Sequence, residues 1–319
     1  MDKTVALQKQ ITGGLTPPAT PTTNPLLPYA ALLFGVVALG STAIFVRLAD
    51  APGSVFAFYR MAIAVSVTAL PFGIQAKRSN PLPHPYLWVA MLGGLFLALD
   101  LWIWNDAVRL TNAANATLFG NTSVIWVAIG SMVLFRERLR SAFWIGLVVA
   151  VMGMVVIMGQ DMTHPTLGIG DLMCILAGFF YGLFFLATAR ARERLNYFVA
   201  WWVSSMASAV VLLAISLALQ KSLVGYSVQT YLCILGAAFL TQLGGYLSVN
   251  YAIGRLPVST VSPTLLAQPV VTAILAVPLL NQPIAVSQIT GGALILFGIF
   301  VINKASERKQ GRLEKSDGL

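Results

Sequence analysis

Residues 29–48 are almost wholly apolar, and the same pattern recurs at 54–74, 86–108, 112–135, 141–159, 169–189, 198–219, 230–251, 257–280 and 284–303. Each run is bounded by charges, prolines or glycines. About 20 apolar residues is the length an α-helix needs to cross a bilayer. The pattern therefore predicts ten transmembrane helices, numbered 1 to 10 here in chain order. The connections are short, so consecutive helices are expected to be antiparallel neighbours with no soluble domain between them. Residues 1–28 are rich in Thr, Pro and Gly without an apolar signal core, and read as a disordered cytoplasmic tail. Residues 304–319 read as a basic cytoplasmic tail. The expected fold class is an all-α polytopic membrane protein.

Composition changes the picture only in what it excludes. The chain is 57% hydrophobic and 10% charged, whereas soluble domains carry about 25% charged residues. A net charge of +9 would suit nucleic acid, but the basic residues are scattered in short clusters between apolar runs and form no single solvated face. Their placement is topological. Sixteen of the 20 Lys and Arg fall on one side of the predicted spans, only Arg47, Arg109 and Lys221 on the other, and Arg60 lies inside helix 2. Cytoplasmic loops hold the excess of positive charge, so both termini are expected in the cytoplasm, with the chain in the inner (plasma) membrane. Cys174 and Cys233 stand inside apolar runs without C-x-x-C spacing and read as small buried residues.

Sliding the chain against itself by 145 positions, without a gap, aligns Asn105 with Asn250, Ala107 with Ala252, Ala128-Ile129 with Ala273-Ile274, Leu134 with Leu279, Gly146 with Gly291, Gly153 with Gly298 and Val156-Ile157 with Val301-Ile302. Helices 3 to 5 thus map onto helices 8 to 10. Chance matching of apolar sequence is the plain alternative, against which stand the glycines and the ungapped register. Five helices per half would turn the second copy upside down. The expected organisation is two inverted five-helix repeats, residues 29–159 and 169–303, with a substrate site near the midplane where they meet.

Gly40, Arg60 in FYRMAIA, the join LFRERLRSAFWIGLVVAVMG between helices 4 and 5, and the matching join LLNQPIAVSQITGGALILFG between helices 9 and 10 carry a resemblance. The chain resembles the EamA-type members of the drug/metabolite transporter superfamily over nearly everything after residue 28. It keeps Glu137 in the first join but has Gln282 in the second, where the family often has Glu. The resemblance implies ten helices as two inverted units around a central cavity, and export of small metabolites or drugs across an inner membrane. Some such relatives export amino acids, aromatic ones included.

Candidate chemistry lies inside the spans. Asp100, in LALDLWIWNDAVRL, is about eight residues or ~12 Å below the outer surface, and Arg60 is ~9 Å below the same surface. An isolated charge at depth costs at least ~2.5 kcal/mol, so an intramembrane charge pair between Asp100 and Arg60 is the favoured reading. A proton- or substrate-coupling carboxylate and a misplaced span remain alternatives. Trp104 shares a helix face with Phe96 and Asp100, whereas Trp88, Trp102 and Trp144 read as belt or lipid-facing residues. Helix 4 sets Asn115, Phe119, Thr122 or Ser123, and Trp126 along one polar-aromatic stripe. Helix 8 adds Gln242, Tyr246 and Asn250, helix 9 adds Ser259, Ser262 and Gln268, and helix 6 offers Tyr181 with Phe184 or Phe185 as an aromatic wall. The expected substrate-binding set is Trp104, Asn115, Phe119, Ser123, Trp126, Tyr181, Gln242, Tyr246 and Gln268. Simple helix–helix hydrogen bonding is the competing account of each polar member. Pro263, Pro269 and Pro278 interrupt helix 9, and Gly244-Gly245 loosen helix 8, which supplies hinge points or close packing.

No phosphate-binding loop G-x-x-x-x-G-K-[ST] occurs, His84 and His164 lie in loops, and neither H-E-x-x-H nor G-x-S-x-G is present. No cofactor, metal or enzymatic activity is expected. The expected partners are a small-molecule substrate and the lipid bilayer, with no obligatory protein partner. Helix 1 has no carboxylate to hold a cationic drug. Uncharged polar and aromatic side chains around one paired acid suit zwitterions, so the reading is a secondary transporter exporting small metabolites, amino acids foremost, by alternating access. A carrier of other metabolites or drugs, a membrane-embedded enzyme and a channel are the rivals.

Overall fold

The computed structural model describes residues 26–78, 84–107, 110, 119–158, 168–280 and 284–317, and every regular element among them is a helix. The helices are α1 (Leu27–Leu48), α2 (Gly53–Val67, continued after a 56° bend as Ala69–Lys77), α3 (His84–Ala107), α4 (Ser123–Leu134), α5 (Ser141–Ile157), α6 (Ile169–Arg192), α7 (Tyr197–Ala218), α8 (Val228–Ile253), α9 (Val258–Leu279) and α10 (Val286–Lys304). Seven of them, α1, α3 and α6 to α10, are long and apolar enough to cross a membrane, and the bent α2 makes eight. Of the ten spans expected, eight are seen at full length among the described residues, where α4 and α5 are shorter apolar helices. The 12 residues of α4 reach only ~18 Å, against the ~30 Å of a hydrocarbon core.

The breaks have local causes. Ahead of α4, Asn121 and Thr122 form a tight turn inside the span expected over residues 112–135, of which 112–118 lie outside the described residues. Thr122 N donates to Phe119 O (3.2 Å), Ile125 N to Thr122 O (2.9 Å), and the Thr122 hydroxyl also takes the Phe119 carbonyl (2.6 Å). In α9, Pro263 has no N–H to give the ladder, and a 3₁₀ stretch, Leu265–Ala267, follows before the helix resumes at Gln268. These two breaks are equivalent under the 145-residue shift, Ser123 corresponding to Gln268. The bend in α2 falls at Thr68, three residues before Pro71, whose ring cannot sit behind the Val67 carbonyl. Trp202 Nε1 donates to the Val65 carbonyl at that bend (3.1 Å). The loosening expected at Gly244-Gly245 takes the form of a π-helix over Ala237–Tyr246.

A single core cluster draws on all the helices, with Leu32, Met61, Leu97, Val127, Leu147, Phe184, Trp201, Val249, Leu266 and Ile295 each 4% exposed or less. Leu33, Val133, Ile145, Val148 and Phe297 are more than half exposed on the outside, whereas Ser208, Ser216, Thr241 and Gln242 are completely enclosed. Apolar residues outward and polar residues inward is the distribution a lipid solvent selects.

Two close approaches organise the packing. Along α5 and α10, a Cβ added to Gly146 would lie 2.7 Å from the Gly298 carbonyl oxygen, and one on Gly153 would lie 2.6 Å from that of Gly291. The helices are therefore antiparallel and in backbone contact. A Cβ on Gly182 of α6 would meet Trp126 Cβ and the Ser123 carbonyl, just as one on Gly40 of α1 would meet Val271 Cβ and the Gln268 carbonyl. Val271 is the repeat equivalent of Trp126.

Candidate functional site

Four side chains from four helices meet inside the core. Arg60 of α2 is 2% exposed, Asp100 of α3 is 8% exposed and Tyr246 of α8 is 6% exposed, while Tyr181 of α6 is half-buried. They converge because α2 lies against both α3 and the π-helical part of α8, and α6 lies against α3 and the end of α8. The Arg60 guanidinium carbon sits 5.8 Å from the centre of the Tyr246 ring, and the Tyr246 hydroxyl faces both Arg60 and Tyr181. Behind the tyrosines, Tyr181 stacks on Phe184 (6.1 Å) and meets Phe185 edge-on (4.8 Å), and Phe184 in turn meets Tyr246 (6.0 Å).

Arg60 and Asp100, the expected charge pair, lie within electrostatic reach of one another but make no N–O approach within 4.0 Å. Arg190–Glu193, at 2.5 Å, is the one direct ion pair among the described residues. Arg60 Nε and Nη2 are both buried without a hydrogen-bond partner. Buried donors are nearly always paired, and a guanidinium cannot shed its charge to escape the cost. Chemically, the cluster is a cation with two unpartnered nitrogens, an anion set slightly apart from it, and an aromatic wall.

The other expected site residues are distributed around this cluster. Ser123 is buried at the start of α4 and its carbonyl faces Gly182. Trp126, half-buried, meets Phe179 edge-on at 5.3 Å and leaves its buried Nε1 unpartnered. Phe119 packs against Ala107 and Cys174, and the Trp104 indole lies beside Gly120. Gln242 is fully enclosed: its Nε2 donates to Ser205 Oγ of α7 (2.9 Å), its backbone carbonyl accepts from Trp201 Nε1 (3.1 Å), and its Oε1 has no partner. Its amide thus serves as a helix–helix link. Gln268 is half-buried, with its carbonyl turned to Gly40. Asn115 lies outside the described residues. Trp88 is 68% exposed, as an interfacial residue would be, but Trp102, expected to face lipid, packs against the core with its Nε1 enclosed.

Several polar contacts escaped the pattern of apolar runs. On α7, Ser208 Oγ donates to the Gly94 carbonyl of α3 (2.6 Å) and Ser216 Oγ to Ser54 Oγ of α2 (3.0 Å). Together with Ser205 they form a seam of small polar residues that bonds α7 to its neighbours. Their signal was the serines recurring through WWVSSMASAVVLLAIS. Glu137, in the turn after α4, accepts a hydrogen bond from the Ser259 hydroxyl at the start of α9, and no spacing rule joins residues so far apart in the chain. Among the described residues no three His, Cys, Asp or Glu side chains gather as a metal would require.

Comparison with known proteins agrees with this architecture. The model of the EamA-like transporter family matches twice, over residues 26–159 and 168–304. An uncharacterized transporter of Clostridium kluyveri is 21% identical over 248 residues, which is 76% of this chain and 79% of that one. Another, of Methanothermobacter thermautotrophicus, is 24% identical over 202 residues, 60% of this chain and 57% of that one. A solved crystal structure superposes with a TM-score of 0.74 at 19% identity, covering 88% of this chain and 98% of the other, so the helical fold is shared. With the family model matching each half of a multi-pass helical membrane protein, the chain belongs to the EamA-like transporter family and has its two-repeat architecture.

Proposed function

We propose that the protein is a secondary carrier that exports a small polar or amphipathic metabolite, amino acids foremost, across the plasma membrane by alternating access between its two halves. One observation carries this reading. Arg60 and Asp100 come from the first repeat, Tyr181 and Tyr246 from the second, and their polar groups meet inside the core. Substrate sites of repeat-built carriers lie where the repeats join, beside discontinuous helices. The breaks before Ser123 and Gln268 supply such helices, and the π-helical part of α8 places an irregular, adjustable turn next to Tyr246.

The repeats are read as inverted, and the paired contacts support that. If a two-fold axis relates the halves, a contact between residue i and the partner of j implies one between j and the partner of i. Gly146 with Gly298 and Gly153 with Gly291 obey this rule under the 145-residue shift. Asn105 and Asn250 each donate to the carbonyl four residues back, Leu101 and Tyr246, which are themselves equivalents. Counting α2 as one span and adding α4 and α5 gives ten helices, 29–159 and 169–303, with both termini in the cytoplasm. The substrate is a small molecule, the lipid bilayer is the other partner, and no further protein is required.

Counterflow in liposomes with a panel of labelled amino acids tests the function. Saturable exchange of one or more amino acids is expected. Exchange of other metabolites but of no amino acid would overturn the substrate class, and a flux that never saturates would replace the carrier by a channel.

A further inference from the structure

The separation of Arg60 from Asp100 is the least explained feature of the core. Two opposite charges buried in one cluster would lower their energy by direct contact, yet they make none within 4.0 Å. The guanidinium instead keeps Nε and Nη2 unpartnered. These two nitrogens share one edge of the planar group, the edge that meets the two oxygens of a carboxylate side-on. Asp100 receives no hydrogen bond from any described residue. The cluster thus holds one unfilled carboxylate-binding edge and one unfilled carboxylate, with no net charge between them.

We infer that Arg60 and Asp100 are the two ends of a zwitterion site: the carboxylate of an α-amino acid docks on the Nε–Nη2 edge of Arg60, and its ammonium group turns to the Asp100 carboxylate. This rests on the carrier reading above and assigns the polarity of the bound substrate. Adding a zwitterion leaves the buried charge balanced, whereas an amine or an acid alone leaves one unit uncompensated in a medium where that is costly. Tyr246 holds the guanidinium by its ring and hydroxyl, and Tyr181 with Phe184 and Phe185 presents an aromatic surface to the substrate side chain. The free donors are enclosed in this conformation, so the substrate reaches them as the two halves open.

The test compares L-phenylalanine with its two half-ligands, phenethylamine, which lacks the carboxylate, and 3-phenylpropanoate, which lacks the ammonium. L-leucine and L-threonine serve as further zwitterions. With the wild-type full chain, thermal stabilisation in detergent and counterflow in liposomes should favour at least one amino acid. For phenylalanine, each half-ligand should be at least about tenfold weaker, the loss of one charge-assisted contact. A half-ligand that performs as well as phenylalanine overturns the inference without any variant being made. Asp100→Asn should then shift preference toward 3-phenylpropanoate and Arg60→Gln toward phenethylamine. A purely structural pair predicts instead that both variants weaken all ligands alike, and that result also overturns the inference. If the variants do not fold, the wild-type comparison decides. Should all three amino acids be inert while another metabolite exchanges saturably, the zwitterion site is wrong and the carrier stands; if nothing exchanges, the carrier reading falls with it.

Discussion

Arg60 and Asp100 show how far depth alone carries at the scale of single residues. Counting 1.5 Å per residue from each helix end sets both at similar depth, and the two are indeed within electrostatic reach. Depth says nothing of azimuth, which is why neither the place of Tyr246 against Arg60 nor the gap between the charges is readable from the sequence. The coupling can be measured as stability. Asp100→Asn and Arg60→Gln should each lower the melting temperature in detergent, because the remaining charge is left alone in the core. The double variant should recover part of the loss, with a coupling of about 0.5–3 kcal/mol, the range found for groups in one network. Strictly additive losses would show that the two charges are energetically independent. Gln242 shows another outcome at this scale: expected to line a cavity, it is fully buried with its amide bonded to Ser205 across a helix interface.

At the scale of elements, the runs of apolar residues located the described helices to within a few residues, apart from the start of α4, but not their interior irregularities. Pro263 announced the break in α9 through its missing N–H group, whereas the bend that Pro71 causes in α2 was not part of the expected pattern. The matching break before Ser123 has no proline and depends on Thr122 turning its hydroxyl back to the Phe119 carbonyl. The α5–α10 contact gives the sharpest prediction here. Gly153→Ala would press a methyl group against the Gly291 carbonyl oxygen at 2.6 Å and Ile295 N at 2.7 Å, both backbone atoms, so the helices must part at a cost of about 1–3 kcal/mol. Gly73→Ala, with nothing within 4 Å, should be neutral or raise stability by up to ~1 kcal/mol through helix propensity. Equal melting temperatures for the two variants would refute close α5–α10 packing.

For the whole molecule, orientation rests on the imbalance of basic residues, sixteen on one side against three on the other. Reporter fusions at residue 319 and within 160–168 should therefore lie on opposite sides of the membrane, with residue 319 in the cytoplasm. A periplasmic C-terminus would make the number of crossings odd and remove the inverted relation between the halves. The hydrogen bond from Ser259 to Glu137 joins the turn after α4 to the start of α9, and so connects the two repeats at one end of the bundle.

Composition, hydropathy period and the 145-residue self-match determined the class of this protein: a multi-pass helical membrane protein built from two related halves. Those properties are local or additive along the chain, since every apolar run must shelter its own backbone hydrogen bonds as a helix. The tertiary structure alone decided which polar groups are consumed in holding helices together and which stay unpaired. Gln242 and the α7 serines are bonded across helix interfaces, while Arg60 keeps Nε and Nη2 without a hydrogen-bond partner. That division depends on helix rotation and on backbone approaches of a few ångströms at glycines such as Gly146 and Gly182, set by all the helices packing at once.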